Sequence, residues 1–500
     1  MPIGPTTQPR NKGRRIAVVG GGISGLAAAR RLLDLAPDVQ VILLEARDRL
    51  GGVLRTEQRD GFLLEHGADN FITTPAWAVE FCQRLGMEED LLETNSEHRR
   101  AFVVCKGKLR AIPAGFAVMA PSRICPIAST PILSMLGKLR MAAELFVPRR
   151  IVDESESLAG FVRRRFGYEM YERLVQPLIA GIYTGDPEQL SLGATMPRFR
   201  QMEEDHGSLI RAMWKQQKAQ RTTAQQSSGA RYSQFVAPRR GMSAFVQAIV
   251  ERLDEAAVLL DSLVARMTPT AQAGWRLTIG GEYSRSLDVD GVILATPAQH
   301  SSTLLKSVDS ESANAFGKIH YGSCAIVSMG FRREQIGHAL DGFGLVVPAI
   351  EGRKILSTSF SSIKYAGRAP EGHVLLRAFV GGACQSELLN LDGQQLERMV
   401  REELADLLAI RGEPSLCHIV RQNNAMPQYY VGHEGIVRRI EQRAELLPNL
   451  ALAGNALHGI GVPNCIHTGE LAAESLLAKL SQSRHPRDQR QYPFRSASIG

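Results

Sequence analysis

The 500-residue sequence contains no Cys-x-x-Cys pair and no His-Glu-x-x-His, so no metal site is expected. Its seven cysteines, at positions 82, 105, 125, 324, 384, 417 and 465, are scattered and odd in number. That argues against a disulfide framework and for a reducing compartment. No charge-free apolar run reaches the roughly 20 residues that a membrane-spanning helix needs. The nearest approach is Ala111–Gly137, whose only charge is Arg123 and which Pro113, Pro121, Pro126 and Pro131 interrupt. It reads as the wall of a buried cavity, with an apolar surface dipping into a bilayer as the alternative. Residues 1–13 lack the apolar stretch of a secretory signal and read as a disordered lead-in. No side-chain nucleophile is evident, and no internal repeat is apparent.

What is present points to a globular chain of two or three domains, with 44% hydrophobic and 22% charged residues. The net charge of +8 suits a membrane surface or an anionic substrate; no nucleic-acid partner is expected. Ile16–Val19 reads as a buried strand, Ser24–Leu35 as a helix and Val39–Leu44 as a second strand, the opening of a doubly wound sheet. Further strands are expected within Asp288–Ala298 and at the start of Asn449–Leu480, which ends in a helix. Ile326–Phe331, Lys354–Thr358 and His373–Phe379 alternate as an antiparallel sheet would, and Leu396–Leu408 reads as a helix. The polar stretch 215–231 and the tail 481–500 read as disordered.

The turn between the first strand and helix is Gly20-Gly21-Gly22-Ile23-Ser24-Gly25. In such a turn Gly20 permits the bend, Gly22 lets a pyrophosphate approach the backbone, and Gly25 lets helix and strand pack closely. The helix N-terminus then offers free N–H groups to phosphate. Glu45 follows Gly25 by 20 residues, at the end of the next strand, where a carboxylate can accept both ribose hydroxyls. Beyond it, Arg47, Arg49, Gly51 and Gly52 suit a long cofactor whose pyrophosphate lies against backbone, and "LLEHGADNF" (63–71) follows as strand and loop.

With these residues the sequence resembles the flavin-dependent amine oxidase and protoporphyrinogen oxidase superfamily. The C-terminal motif "LAGNALHGIGVPNCIHTG" narrows the likeness, because amine oxidases typically carry Gly-Glu where this chain has Gly454-Asn455. That motif, with "LVQPLIAGIYTGDPEQLSLGATMP" (174–197), resembles the oxygen-dependent porphyrinogen oxidases, with Ile460 and Asn464 as mild departures. The resemblance implies an α/β fold: an FAD-binding, Rossmann-like doubly wound domain with an inserted α+β substrate domain containing a mixed or antiparallel sheet. The expected divisions are 14–95, 235–300 and 420–480 for FAD, and 96–214 and 301–419 for substrate, with a helical and membrane-facing part near 111–200.

It further implies FAD as cofactor, held by Gly20–Gly25, Glu45, Ala46, Arg49, Gly52, Gly67, Ala68, Asp69, Asn70, Val264, Gly454, Asn455, Gly461, Val462 and Pro463. Gly67–Asn70 would pass near the isoalloxazine, Val264 would meet adenine, and Gly461–Pro463 would line the flavin's pyrimidine end. A helix starting near Asn464 would stabilise negative charge there. Gln422 stands where many relatives carry tryptophan. Gly181, Tyr183, Phe343 and Leu345 are the expected cavity residues, with Arg99 or Arg100 binding a substrate carboxylate. The implied reaction is porphyrinogen oxidation by O2 in haem synthesis, in a cytoplasmic protein. Peripheral contact with the inner face of the cell membrane, a haem-pathway enzyme partner and a homodimer remain open. Two other readings stand beside it: an amine- or polyene-oxidising flavoenzyme, and a non-catalytic flavoprotein.

Overall fold

The computed structural model describes residues 13–150, 156–222, 234–280 and 285–482. Five parallel strands form the central sheet, in the order Ala257–Leu259, Gln40–Leu44 (β2), Arg15–Val19 (β1), Gly291–Leu294 and Leu450–Leu452. β1 occupies the middle because it is apolar on both faces, as a parallel strand covered on two sides must be. Ile16 and Val18 pack into a core with helix α1 (Ile23–Leu35) and the C-terminal helix Val462–Gln482. Ala17 and Val19 face a second core built around Trp275, Leu277 and the helix His433–Leu446. Trp275 belongs to a three-stranded antiparallel sheet, Val264–Pro269, Trp275–Ile279 and Arg285–Val289.

The inserted region has two parts. One is a seven-stranded mixed sheet, running from Leu416–Gln428 through His320–Arg332, His373–Gly381, Ser357–Phe360, Gly344–Val346 and Phe102–Cys105 to Lys108–Ala111. Only the Gly344–Val346 and Phe102–Cys105 pair is parallel. One face is covered by helix Gly393–Leu408, which starts from a capping box of Asp392 and Gln395. The other part is helical, with its core around Phe161, Phe166, Leu174 and Phe199. Within it Glu144 and Arg165 form a fully buried ion pair. Glu144 also accepts from Ser208 Oγ (2.6 Å) and Leu209 N (2.8 Å), so neither charge is left unpaired.

The doubly wound expectation therefore agrees with the structure, with some shifted boundaries. Residues 420–428 pair with the inserted sheet rather than the central one. The second expected inserted strand runs Ser357–Phe360, later than 354–358. Helix Leu209–Thr222 continues through the first residues of the stretch expected to be disordered. The C-terminal helix likewise extends to Gln482, and the remainder of those expected disordered segments lies outside the described residues. Ala111–Gly137 divides its residues. Phe116, Met119, Ile127 and Leu133 enter the helical core, while Met135 and Leu136 are exposed on the helix Met135–Ala142. Among the described residues no helix is long and apolar enough to cross a membrane.

Candidate functional site: a glycine-lined cradle between the two ends of the chain

β1 ends at Val19 and the chain turns through Gly20, whose φ of +108° favours glycine. A Cβ on Gly25 would stand 1.8 Å from the Gly20 carbonyl oxygen, so α1 can lie this close to β1 only with glycine there. Gly22 is different, because no atom lies within 4 Å of where its Cβ would be. It is the N-cap of α1 and supplies no side-chain cap, so the first amides of the helix remain available to an anion. Glu45, at the end of β2, is 8% exposed and accepts from Gly21 N (2.7 Å) and Arg47 N (3.0 Å). Those bonds fix the carboxylate against the loop and leave each oxygen a lone pair for a ribose hydroxyl. Ile23 and Ser24 are buried beneath the turn and Ala46 is exposed just beyond Glu45.

Gly51 N donates to Gly21 O (2.8 Å), joining the second glycine turn to the first. Arg49 spends its guanidinium on the carbonyls of Leu50 (3.1 Å), Gly52 (2.7 Å) and Leu54 (3.3 Å). It braces this turn, a role the sequence did not suggest. Helix Met242–Val250 lies over the turn through Val246.

The other end of the chain closes the cradle. A Cβ on Gly469 would stand 2.2 Å from Ser24 O, so the C-terminal helix and α1 touch backbone to backbone. Gly454, φ +118°, has no atom within 4 Å of its Cβ position, and its N donates to Thr468 Oγ1 (3.2 Å). Asn455 is held through its carbonyl by Tyr429 Oη, which itself accepts from Gly459 N (2.8 Å). The helix begins at Val462, two residues earlier than expected, so Gly461, Val462 and Pro463 form its N-terminal end. The two open glycines, the uncapped helix end and the placed carboxylate fit a dinucleotide. Val264 opens its strand with its side chain buried.

Beyond the cradle, Gly67–Asn70 runs past a group of buried charges. Asp69 lies 3.8 Å from both Lys364 Nζ and Arg377. Burial alone would raise the Asp69 carboxyl, but Lys364, Arg377 and Arg368 outweigh it and hold it below its ordinary value. Burial and Arg377 lower the Lys364 ammonium, against Asp69. Arg377 also donates to Gly67 O, Asn70 donates to Asp69 (2.6 Å), and Ala68 packs on the first core. Glu65 is pushed up to about 7 by burial, against hydrogen bonds from Met242 N and Thr56 Oγ1. Ser359 Oγ, Ser361 Oγ, Tyr365 Oη and Arg377 Nε are buried without a hydrogen-bond partner, so polar capacity remains at this end for a bound group. Sequence reasoning missed Lys364, Arg377 and Glu65. Only Arg377 carried a signal, a lone charge inside the apolar strand "HVLLRAFVG".

The expected cavity residues separate. Arg100 is paired with Asp341 and half exposed. Arg99 keeps a buried Nε without a partner, and its Nη2 makes a 3.7 Å contact to Glu93. Leu345 points into the core under helix Gly393–Leu408, because strand alternation turns Val346 instead toward helix Gln176–Tyr183. Gly181 meets that strand pair, its Cβ position 3.7 Å from Val346 and 3.8 Å from Ser357. Tyr183 is buried with its hydroxyl on Thr195 O (2.9 Å), a structural bond. Phe343 is buried, its amide donating to Arg100 O (2.8 Å). Gln422 Nε2 holds His66 O (2.7 Å).

Comparison with known proteins agrees with this arrangement. Residues 23–477 match the family described as flavin containing amine oxidoreductase. The chain is 30% identical over 472 residues to coproporphyrinogen III oxidase of Bacillus subtilis (strain 168), covering 93% of this chain and 98% of that protein. It is 28% identical to the mitochondrial protoporphyrinogen oxidase of Nicotiana tabacum, over 93% of this chain and 95% of the relative. A crystal structure from Exiguobacterium sp. 255-15, provisionally named protoporphyrinogen oxidase, superposes with a TM-score of 0.81 at 28% identity, over 94% of this chain and 99% of that one. The chain belongs to the flavin-containing amine oxidoreductase family and is an FAD-dependent oxidoreductase.

Proposed function

We propose that the chain oxidises a porphyrinogen, protoporphyrinogen IX or coproporphyrinogen III, to the porphyrin, with O2 as electron acceptor. The observation that carries this reading is the likeness to coproporphyrinogen III oxidase along 93% of the chain. Six electrons and six protons leave the substrate in three steps, and three O2 become three H2O2. Bound FAD supplies the two-electron acceptor for each step. The chain's own residues position and balance charge. The amides at the start of helix Val462–Gln482 offer positive potential to negative charge developing before them. Asp69, held ionised by its cations, places a fixed charge where Gly67–Asn70 would border the reacting ring. Arg99, with its free buried Nε, is the better of the two arginines to hold a carboxylate arm.

The same reading makes this a cytoplasmic protein that touches the inner face of the cell membrane. Met135, Leu136, Leu139 and Phe146 support it, being 64–83% exposed, with Arg149 exposed beyond them. The function is tested with the purified flavoprotein and both porphyrinogens. Porphyrin fluorescence should rise, with three H2O2 formed per porphyrin. No rise with either substrate overturns the reading, and H2O2 formed from an amine instead favours the amine-oxidising alternative.

A further inference from the structure

Away from the cradle, three side chains from separate segments converge. Glu57 lies on the strand Thr56–Arg59, and His66 directly follows its hairpin partner Phe62–Glu65. His418 comes from Leu416–Gln428, the outer strand of the seven-stranded sheet. His66 Nε2 is 3.2 Å from Glu57 Oε2 and 3.2 Å from His418 Nε2, and His418 Nε2 is 3.9 Å from Glu57 Oε2. The point equidistant from three atoms so spaced lies about 2.0 Å from each, within the range of zinc–nitrogen and zinc–carboxylate bonds.

Hydrogen bonding alone satisfies this group poorly. His66 Nε2 faces both a carboxylate oxygen and a second ring nitrogen, and its single proton can serve only one of them. If His66 Nε2 is bare and accepts from His418, its lone pair faces Glu57. A cation is attractive to all three atoms at once. The site is also held from outside. His66 N donates to Arg55 O (2.9 Å), and its carbonyl accepts from Gln422 Nε2 (2.7 Å).

We propose that Glu57, His66 and His418 bind one borderline divalent transition-metal ion, of the Zn2+ class, with a fourth position left for water. Two imidazoles and one carboxylate suit such an ion better than Ca2+ or Mg2+, which prefer oxygen ligands throughout. The ion would clip the hairpin leading into Gly67–Asn70 to the inserted sheet. This inference does not depend on the identity of the substrate.

The test uses the full-length, flavin-loaded protein, stripped with a chelator and dialysed against Zn2+. The expected result is one tightly bound Zn2+ per chain. His418→Ala should remove that equivalent while the flavin spectrum reports an intact fold. Glu57→Gln, conservative and partly exposed, should weaken it by about tenfold or more. Absence of a saturable equivalent in the wild type overturns the proposal. So does an equivalent that persists with unchanged affinity in both variants.

Discussion

Two alanine substitutions three residues apart should have opposite consequences. Gly22 has φ −72° and ψ 176°, a conformation open to any residue, and nothing lies within 4 Å of its Cβ position. Replacing an N-cap glycine by alanine costs about 0.5–1 kcal/mol, and the stiffer unfolded chain offsets about 0.4–1 kcal/mol. The stability of the flavin-free protein should therefore change by less than about 1 kcal/mol. The new methyl group instead stands where the pyrophosphate would approach. Displacing one amide from phosphate forfeits a charge-assisted hydrogen bond of about 1.5–3 kcal/mol, so Kd for FAD should rise roughly 10- to 150-fold. At Gly25 the methyl would sit 1.8 Å from Gly20 O and 3.4 Å from Ala295 Cβ, both on elements that cannot rotate aside. Gly25→Ala should cost the flavin-free protein about 1–3 kcal/mol or more by overpacking. Thermal unfolding of stripped protein, together with FAD titration followed by quenching of flavin fluorescence, measures both effects. Unchanged FAD affinity in Gly22→Ala, or unchanged stability in Gly25→Ala, would refute the reasoning.

Arg99→Ala should raise KM for a porphyrinogen with flavin content unchanged, whereas Arg100→Ala, which loses a surface pair with Asp341, should leave KM near wild type. Steady-state kinetics on both variants would show an error if Arg100 carried the effect. Glu144→Ala removes one of two carboxylates on the buried Arg165, leaving Glu203 (3.2 Å) and the carbonyls of Val147 (3.1 Å) and Gly207 (2.9 Å), and should destabilise the protein by about 1–3 kcal/mol in denaturant unfolding; an unchanged midpoint would contradict the buried pair. Glu65 has a folded pKa of about 7 against an ordinary 4.5, so the folded chain retains a proton that the unfolded chain releases. Its contribution is present in full below about pH 4.5 and is lost as pH rises through about 7. Glu65→Gln should therefore gain on wild type by about 3 kcal/mol between about pH 4 and pH 8 in paired urea midpoints, and a pH-independent difference would argue against the shift.

The cradle was legible because its glycines answer to steric demands that no other residue meets. Gly20, Gly25 and Glu45 stand at spacings set by one strand, one turn and one helix, so local sequence suffices to place them. Gly454 and Gly461 were legible for the same reason, although strand and helix ends shifted by a residue or two. Leu345 was not. A three-residue strand with apolar residues on both faces does not announce which face meets the cavity. The sequence could not choose between Arg99 and Arg100, because the partner of Arg100, Asp341, lies 241 residues away in an unremarkable loop. The charges around Asp69 come from Lys364 and Arg377, and only folding of the inserted sheet against the hairpin sets them beside it.

The contact between Ser24 and Gly469 also governs when the protein can become a flavoprotein. During synthesis the first glycine turn leaves the ribosome early, but β1 still lacks its neighbour Gly291–Leu294 and α1 lacks the helix it rests on. More than nine-tenths of the chain must be made before Val462–Gln482 can dock. Until then a nascent chain displays the apolar faces of β1 and α1 to solvent without a cofactor to cover them, the interval in which chaperones have most to protect. A truncation that removes only the last helix would thus leave every N-terminal motif intact and still yield a colourless protein.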